Sequence, residues 1–156
     1  MQTLPELPAD LRRDACAQYI GRPMHRFDTA QQLALVGEVM AVLEHPDIAA
    51  AFGPGSRAEV PIAGTIQTAE GPRVVSGQID RLIYTGEDVL IVDFKTNRPP
   101  PSDPADVAPI YLRQMATYRA AMATIFPNKP VRCILLWTDG PKWMELPDNF
   151  ITPYTP

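Results

Sequence analysis

Two aspartates and a lysine in the middle of the chain are candidates for catalytic chemistry: Asp80, Asp93 and Lys95. The segments that carry them, 74–84 and 89–95, have strand-like sequences, and the residues between them are typical of a turn. A hairpin closed by that turn places Asp80 directly opposite Asp93. It also puts Lys95 on the same face of the sheet as Asp93, because side chains alternate along a strand.

Opposed carboxylates on one face repel each other by about 4 kcal/mol at a separation of ~4 Å and an effective dielectric constant of ~20. Lys95, a raised pKa on one aspartate, or a divalent cation could each compensate. Carboxylate oxygens suit Mg²⁺, which can acidify a bound water and polarise a phosphoryl oxygen, and a lysine can orient that water. A solvated cluster of ion pairs is an equal alternative, and a register shift of one residue would separate the aspartates.

The rest of the sequence predicts the elements that must position these residues. Their order predicts an α/β (α+β) fold with a mixed central sheet flanked by helices. The predicted helices are 9–21, a helix that begins at Asp28 or Thr29 as N-cap and ends near Pro46, and 109–126, with a short helical turn at 47–52. The predicted strands are 56–62, 64–69, 74–84, 89–95, 131–138 and 142–146.

The charge of the chain is unevenly distributed. The net charge is −4, which by itself argues against binding to nucleic acid. Residues 95–142, however, carry seven lysines and arginines against three aspartates. Such asymmetry can mark a surface that meets a polyanion, although scattered solvated charges explain it more simply.

Cysteine usage and hydropathy exclude several other classes of protein. Cys16 and Cys133 lie far apart and outside any metal-binding motif, which favours a reducing compartment and argues against a structural zinc site. The longest apolar runs have five residues, far short of the ~20 that a transmembrane helix needs. We therefore expect a cytoplasmic protein that has no contact with membranes.

Several motifs resemble those of known nucleases. The segment Gly77–Leu82 and the segment Ile91–Thr96 resemble the core of the PD-(D/E)XK nucleases, and more narrowly the RecB-type family. Gln114 and Tyr118 match the Gln-x-x-x-Tyr motif that this family carries on the following helix. Further segments are similar to bacterial helicase–nuclease subunits of the AddA type: 55–62, 92–100 and 135–138.

The resemblance implies a restriction-endonuclease-like core and assigns roles to six residues. The implied metal ligands are Asp80, Asp93 and the main-chain carbonyl of Phe94, and the other implied catalytic residues are Lys95, Gln114 and Tyr118. Gln114 and Tyr118 would help to hold both the site and the DNA strand.

Three more charged residues could extend the site. Glu59 alternates with apolar neighbours, so it lies either in the same cleft as the aspartates, where it could bind the metal, or in solvent. Arg98, just past the lysine, and Arg113 are candidates for contacts with DNA phosphates. Arg81 falls on the strand face opposite Asp80, which favours a structural role.

The implied function is Mg²⁺-dependent exonuclease or endonuclease activity on DNA during double-strand-break repair, with Mn²⁺ as a substitute. The implied partners are DNA, a helicase portion of the same chain and an AddB-like subunit, in the bacterial cytoplasm. Residues 1–54 would form the helical part, and residues 55–156 the nuclease core, of a single domain.

The chain departs from the resembled family in one respect. RecB-type nucleases usually supply a histidine ligand from an upstream helix, and neither His25 nor His45 stands in a matching setting. We therefore expect a fragment that begins after this ligand. The alternatives are a catalytically incomplete nuclease-fold module that binds DNA ends or a partner subunit, and an unrelated protein with a chance motif.

Overall fold

The computed structural model of the chain describes residues 3–46 and 48–156. Short 3₁₀ turns connect the regular elements at several points. The helices are α1 (Ala9–Ile20), α2 (Thr29–Glu44), α3 (Pro109–Ile125) and α4 (Asp148–Ile151), and the strands are β1 (Ser56–Thr68), β2 (Gly71–Tyr84), β3 (Val89–Lys95), β4 (Val131–Trp137) and β5 (Lys142–Leu146).

The five strands form one sheet in the order β1-β2-β3-β4-β5. Neighbouring strands are antiparallel except for β3 and β4, which are parallel. A parallel pair needs a long crossover connection, and here the loop after β3 together with α3 supplies it. The predicted α/β class with a mixed, helix-flanked sheet is therefore confirmed.

Helices cover both faces of the sheet. On one face, Met115 and Met122 of α3 pack with Ile91 of β3 in one apolar cluster. On the other face, Val42 of α2 and Val92 of β3 belong to a second cluster. Since both faces of β3 are buried, its apolar residues run consecutively instead of alternating with polar ones.

Local sequence explains where α2 begins. The Asp28 carboxylate accepts a hydrogen bond from the main-chain N–H of Gln31 (2.8 Å), and the Gln31 side chain accepts one from the N–H of Asp28 (2.9 Å). This reciprocal pair is a capping box, and it confirms Asp28 as the predicted N-cap. The predicted helical turn at 47–52 is found as a 3₁₀ turn at Ala49–Phe52; residue 47 lies outside the described residues.

The prediction of two strands on either side of Gly64 is wrong, because β1 is one continuous strand. Gly64 pairs with Val75 of β2, and the ladder runs on to a pair between Thr68 and Gly71. None of the described residues comes within 4 Å of a Cβ placed at position 64, so the glycine neither ends the strand nor makes room for a closely packed side chain. The hairpin instead turns before Gly71, whose φ of +112° is readily adopted by glycine.

Cys16 and Cys133 form no disulfide, and both are buried. In the described part of the chain, each helix is too short or too polar to cross a membrane.

Candidate active site

The site forms where β2 and β3 separate. The ladder between them follows the predicted register, and its last pair is Arg81 with Val92. The next residue of β2, Asp80, does not continue the ladder: its Oδ2 accepts a hydrogen bond from the main-chain N–H of Phe94 (2.8 Å). Asp80 therefore lies in the gap between the two strands, beside Asp93, and not in a regular cross-strand pair with it.

Glu59 marks an irregular point in the neighbouring strand. Its φ of +53° is in the left-handed region, which is uncommon for a residue other than glycine. The residues on either side of it pair with β2, whereas Glu59 and Asp80 do not pair with each other. The Glu59 carboxylate accepts a hydrogen bond from the side chain of Gln78. At Asp80, the regular strand pairing of β2 is therefore interrupted on both sides, toward β1 and toward β3.

The surroundings of Asp80 raise its pKa. Burial of the carboxylate is the largest cause, and the negative charges of Asp93 and Glu59 add to it. The hydrogen bond from the Phe94 N–H and the charge of Lys95 act in the opposite direction without cancelling the increase. Ionised Asp80 is therefore destabilised where it stands, and an added cation would relieve that destabilisation.

Lys95 is held from three directions. Its Nζ forms an ion pair with Oδ2 of Asp93, donates a hydrogen bond to Oε1 of Gln114 (3.0 Å) and lies 4.3 Å from the ring centroid of Tyr111. Lys95 is only 9% exposed and Asp93 only 3%. The predicted placement of both side chains on one face is confirmed, and the face is the one covered by α3.

A chain of hydrogen bonds connects the lysine to β2. Gln114 donates from Nε2 to the hydroxyl of Tyr118 (3.3 Å), and that hydroxyl donates to the main-chain carbonyl of Gln78 (3.0 Å). Gln114 and Tyr118 can act together because residues four apart on a helix are neighbours. The Gln-x-x-x-Tyr motif therefore positions Lys95 against β2.

Gly77 has a role that the sequence reasoning missed. A Cβ at this position would lie 2.7 Å from Cε1 and 2.9 Å from the hydroxyl oxygen of Tyr118. The glycine thus lets the tyrosine ring approach β2 closely enough to bond to Gln78. A glycine in the interior of a strand is the signal that could have suggested such an approach.

We expect Gly77→Ala to displace Tyr118, and with it Gln114 and Lys95. Overpacking of this kind costs roughly 1–3 kcal/mol of unfolding free energy, and the loosened lysine should lower any cleavage rate by about tenfold or more. Chemical denaturation and a cleavage assay measure the two effects. Gly64→Ala is the matched control, since a Cβ there contacts no atom of the described chain. Equal behaviour of the two variants would contradict the role assigned to Gly77.

The two candidate arginines lie outside this cluster. Arg98 forms an ion pair with Glu38 of α2 (2.5 Å). Arg113 is exposed on α3, with its guanidinium carbon 5.8 Å from the ring centroid of Tyr154. Their contacts with DNA stay predictions.

The oxygen atoms at the opening suit a hard divalent cation. Asp80 and Asp93 supply carboxylates, and Phe94, whose main-chain carbonyl could add a third oxygen, follows Asp93 directly on β3. Oδ2 of Asp93 is buried and, apart from its ion pair with Lys95, accepts no directed hydrogen bond from the described residues. Mg²⁺ needs only one or two protein carboxylates and completes its coordination with water and substrate oxygens. The donor set therefore fits such an ion.

The described side chains alone do not form a complete metal-binding cluster in this region. Among residues 3–46 and 48–156, no three histidine, cysteine, aspartate or glutamate side chains converge closely enough to hold a metal on their own. Any ion would depend on main-chain, water or substrate oxygens besides the two aspartates.

Comparison with known proteins identifies the fold family. None of the curated proteins searched matches the chain. Among solved structures, the chain is similar to one titled "Crystal structure of SSO0001", with 13% sequence identity and a TM-score of 0.41, covering 96% of this chain and 67% of the other. The family model of the PD-(D/E)XK nuclease superfamily matches residues 6–142, a range that contains every site residue described above. The chain therefore belongs to the PD-(D/E)XK nuclease superfamily, whose chemistry is phosphodiester hydrolysis and whose members generally use divalent metals.

Proposed function

We propose that this chain is a DNA nuclease that uses Mg²⁺, or Mn²⁺ in its place. The observation that carries the proposal is the convergence of four side chains at the opening of the sheet: Asp80 from β2, Asp93 and Lys95 from β3, and Gln114 from α3. They come from three separate elements, β2, β3 and α3, so only the folded sheet and its crossover helix bring them together. Acidic ligands beside a held ammonium group suit attack by water on a phosphodiester.

Asp80, Asp93 and the carbonyl of Phe94 would hold the ion, with Glu59 as a further ligand. When bound, the ion would acidify a water and polarise a phosphoryl oxygen. Its positive charge also favours the ionised form of Asp80, which the apoprotein disfavours.

Lys95 would act on the phosphate side of the reaction. Its ammonium group can donate hydrogen bonds to the attacking water or to a phosphoryl oxygen, and so offset negative charge that develops during the attack. Gln114 and Tyr118 fix the direction of that ammonium group through the hydrogen bonds described above. They are positioning residues in this proposal, and they would also border the DNA strand.

The biological context is proposed from sequence similarity alone. The similarity of segments 55–62, 92–100 and 135–138 to AddA-type subunits favours a nuclease domain attached to a helicase, paired with an AddB-like subunit and active in double-strand-break repair in the bacterial cytoplasm. Arg98 and Arg113 would contact phosphates of the bound strand.

The direct test is cleavage of labelled single- and double-stranded DNA by Asp93→Asn. We expect the wild type to cut in Mg²⁺ or Mn²⁺ and to stop in EDTA, and the variant to lose cutting by at least about 100-fold. Asp88→Asn is the control, because Asp88 lies at the opposite end of β3 in an ion pair with Arg132. Undiminished, metal-independent cutting by Asp93→Asn would refute the assignment.

A second function is favoured because no three histidine, cysteine, aspartate or glutamate side chains among the described residues could hold a metal together. If two carboxylates among the described residues are too few for an ion, the domain would bind DNA ends or a partner subunit without cutting. Calorimetric titration with Mn²⁺ separates the two functions. Binding that Asp80→Asn abolishes supports the nuclease, whereas DNA binding without any metal uptake supports the non-cutting module.

A further inference from the structure

We propose that a pocket beside Lys95 binds the nucleoside adjacent to the phosphate that is cut. The inference rests on the proposed function, since it extends the same site. The pocket, called the nucleoside pocket here, has a volume of about 410 Å³, within the range of roughly 300–1,000 Å³ usual for small-molecule sites. Its principal lining residues are Asn97, Pro99–Pro101, Ser102, Asp106, Tyr111 and Trp137.

The pocket is continuous with the catalytic lysine. Tyr111, whose ring lies 4.3 Å from Nζ of Lys95, is also a wall of the pocket. Trp137 is the residue of β4 that pairs with Lys95, and its ring meets that of Tyr111 edge-on at 6.2 Å between centroids. A strand whose phosphate reached Lys95 would therefore bring its neighbouring nucleoside to the ring of Tyr111, the more exposed of the two.

The position within the fold also favours a ligand. The pocket lies just beyond the carboxyl ends of the parallel strands β3 and β4, where open α/β sheets commonly bind their ligands. The loop that closes it is held in place by Lys142, whose Nζ donates hydrogen bonds to the main-chain carbonyls of Pro101 (2.9 Å) and Ser102 (2.7 Å). A loop fixed in advance costs less to order when the ligand binds.

One buried donor in the pocket wall lacks an acceptor. Trp137 is 1% exposed, and its Nε1 makes no hydrogen bond with any described residue. Buried indole N–H groups usually have a partner, so this donor could bond to an acceptor that a ligand supplies. The carbonyl and ring-nitrogen acceptors of a nucleobase, or the oxygens of its sugar, are of that kind.

The chemistry of the lining fits a nucleoside better than a phosphate. Proline and aromatic rings provide flat apolar surfaces, and no lysine or arginine is among the lining residues. At the rim, Asn97 accepts a hydrogen bond from the hydroxyl of Tyr111 (2.8 Å), and the carboxylate of Asp106 could accept one from an exocyclic amine. The negative phosphate thus belongs at Lys95, and the base and sugar belong in the pocket.

The test blocks the pocket without touching the lysine. Ala108 lines the pocket and is exposed, whereas Ala105 is exposed on the same loop but does not line it. We expect Ala108→Phe to raise the KM for single-stranded DNA by about tenfold while kcat stays within about twofold, and Ala105→Phe to leave both unchanged. Thermal unfolding shows whether each variant is folded. Ser102→Phe, on another part of the rim, repeats the test if Ala108→Phe does not fold.

A second measurement does not depend on cleavage. DNA that contains 5-iododeoxyuridine, irradiated with the wild-type protein in EDTA, should crosslink to Tyr111 or Trp137, and peptide mapping locates the adduct. Crosslinking to these residues, together with no DNA cleavage when Mg²⁺ or Mn²⁺ is added, would support the pocket and refute the proposed function. Cleavage with an unchanged KM in both blocking variants, or crosslinks confined to other residues, would overturn the pocket.

Discussion

Lys95→Met is expected to reduce DNA cleavage by at least about 100-fold, the effect typical of losing one electrostatic contact to a developing charge. The methionine fills similar space but can donate no hydrogen bond to water or phosphate. Cleavage assays at saturating metal concentrations measure the loss. Lys129→Met is the control, because Lys129 lies over the ring of Tyr84, far from the site, and donates a hydrogen bond to the main-chain carbonyl of Gly86. Retained activity in Lys95→Met would refute the role of the lysine.

The same substitution should lower stability. It leaves the Asp93 carboxylate buried without its partner, which for a buried ion pair costs roughly 3–5 kcal/mol. Adding Asp93→Asn removes the stranded charge, so the double variant should recover most of the unfolding free energy but none of the activity. Urea unfolding of the single and double variants measures the coupling free energy between Lys95 and Asp93. An unchanged midpoint in Lys95→Met would contradict a buried ion pair.

Asp80→Asn is expected to abolish cleavage and yet to raise the melting temperature of the metal-free protein, by about 2–4 °C. The raised pKa means that the folded state holds this proton more tightly than the unfolded state does. Wild-type stability therefore falls as the pH rises from the ordinary value of 3.8 through the raised folded value, and stays lower above it. Asparagine keeps an acceptor for the Phe94 N–H but carries no charge.

The difference in melting temperature between Asp80→Asn and the wild type tests this reasoning. It should be near zero at about pH 3, where Asp80 is protonated in both states, and should grow as the pH rises. Saturating Mg²⁺ or Mn²⁺ should raise the melting temperature of the wild type more than that of the variant. A variant that is less stable than the wild type at neutral pH, without metal, would contradict the unfavourable setting of Asp80.

The sequence predicted the hairpin at the centre of the site because the information is local. The turn at 85–88 and the alternation of side chains on both sides of it determine the register of the hairpin. The proximity of Asp80, Asp93 and Lys95 could therefore be predicted from a short stretch of chain. The helix predicted over 109–126 was equally local, and it is found at Pro109–Ile125.

Other features of the site depend on contacts between distant segments. The separation of β2 from β3, the left-handed backbone of Glu59 and the approach of Tyr118 to Gly77 all require β1, β2 and α3 to be packed together. Nothing in the alternation of residues 56–62 distinguishes Glu59 from a regular strand residue. The long-range packing also explains why the roles of Gln114 and Tyr118 came only from the family resemblance.

The backbone of β1 near Glu59 has a further consequence for how copies of the chain meet. β1 is an outer strand, thirteen residues long, and an outer strand of that length can recruit the exposed strand of another molecule. The left-handed Glu59 breaks its regular row of donors and acceptors, and Pro61 removes one donor two residues later. The irregularity that opens the site thus also makes this border of the sheet a less regular template for another strand.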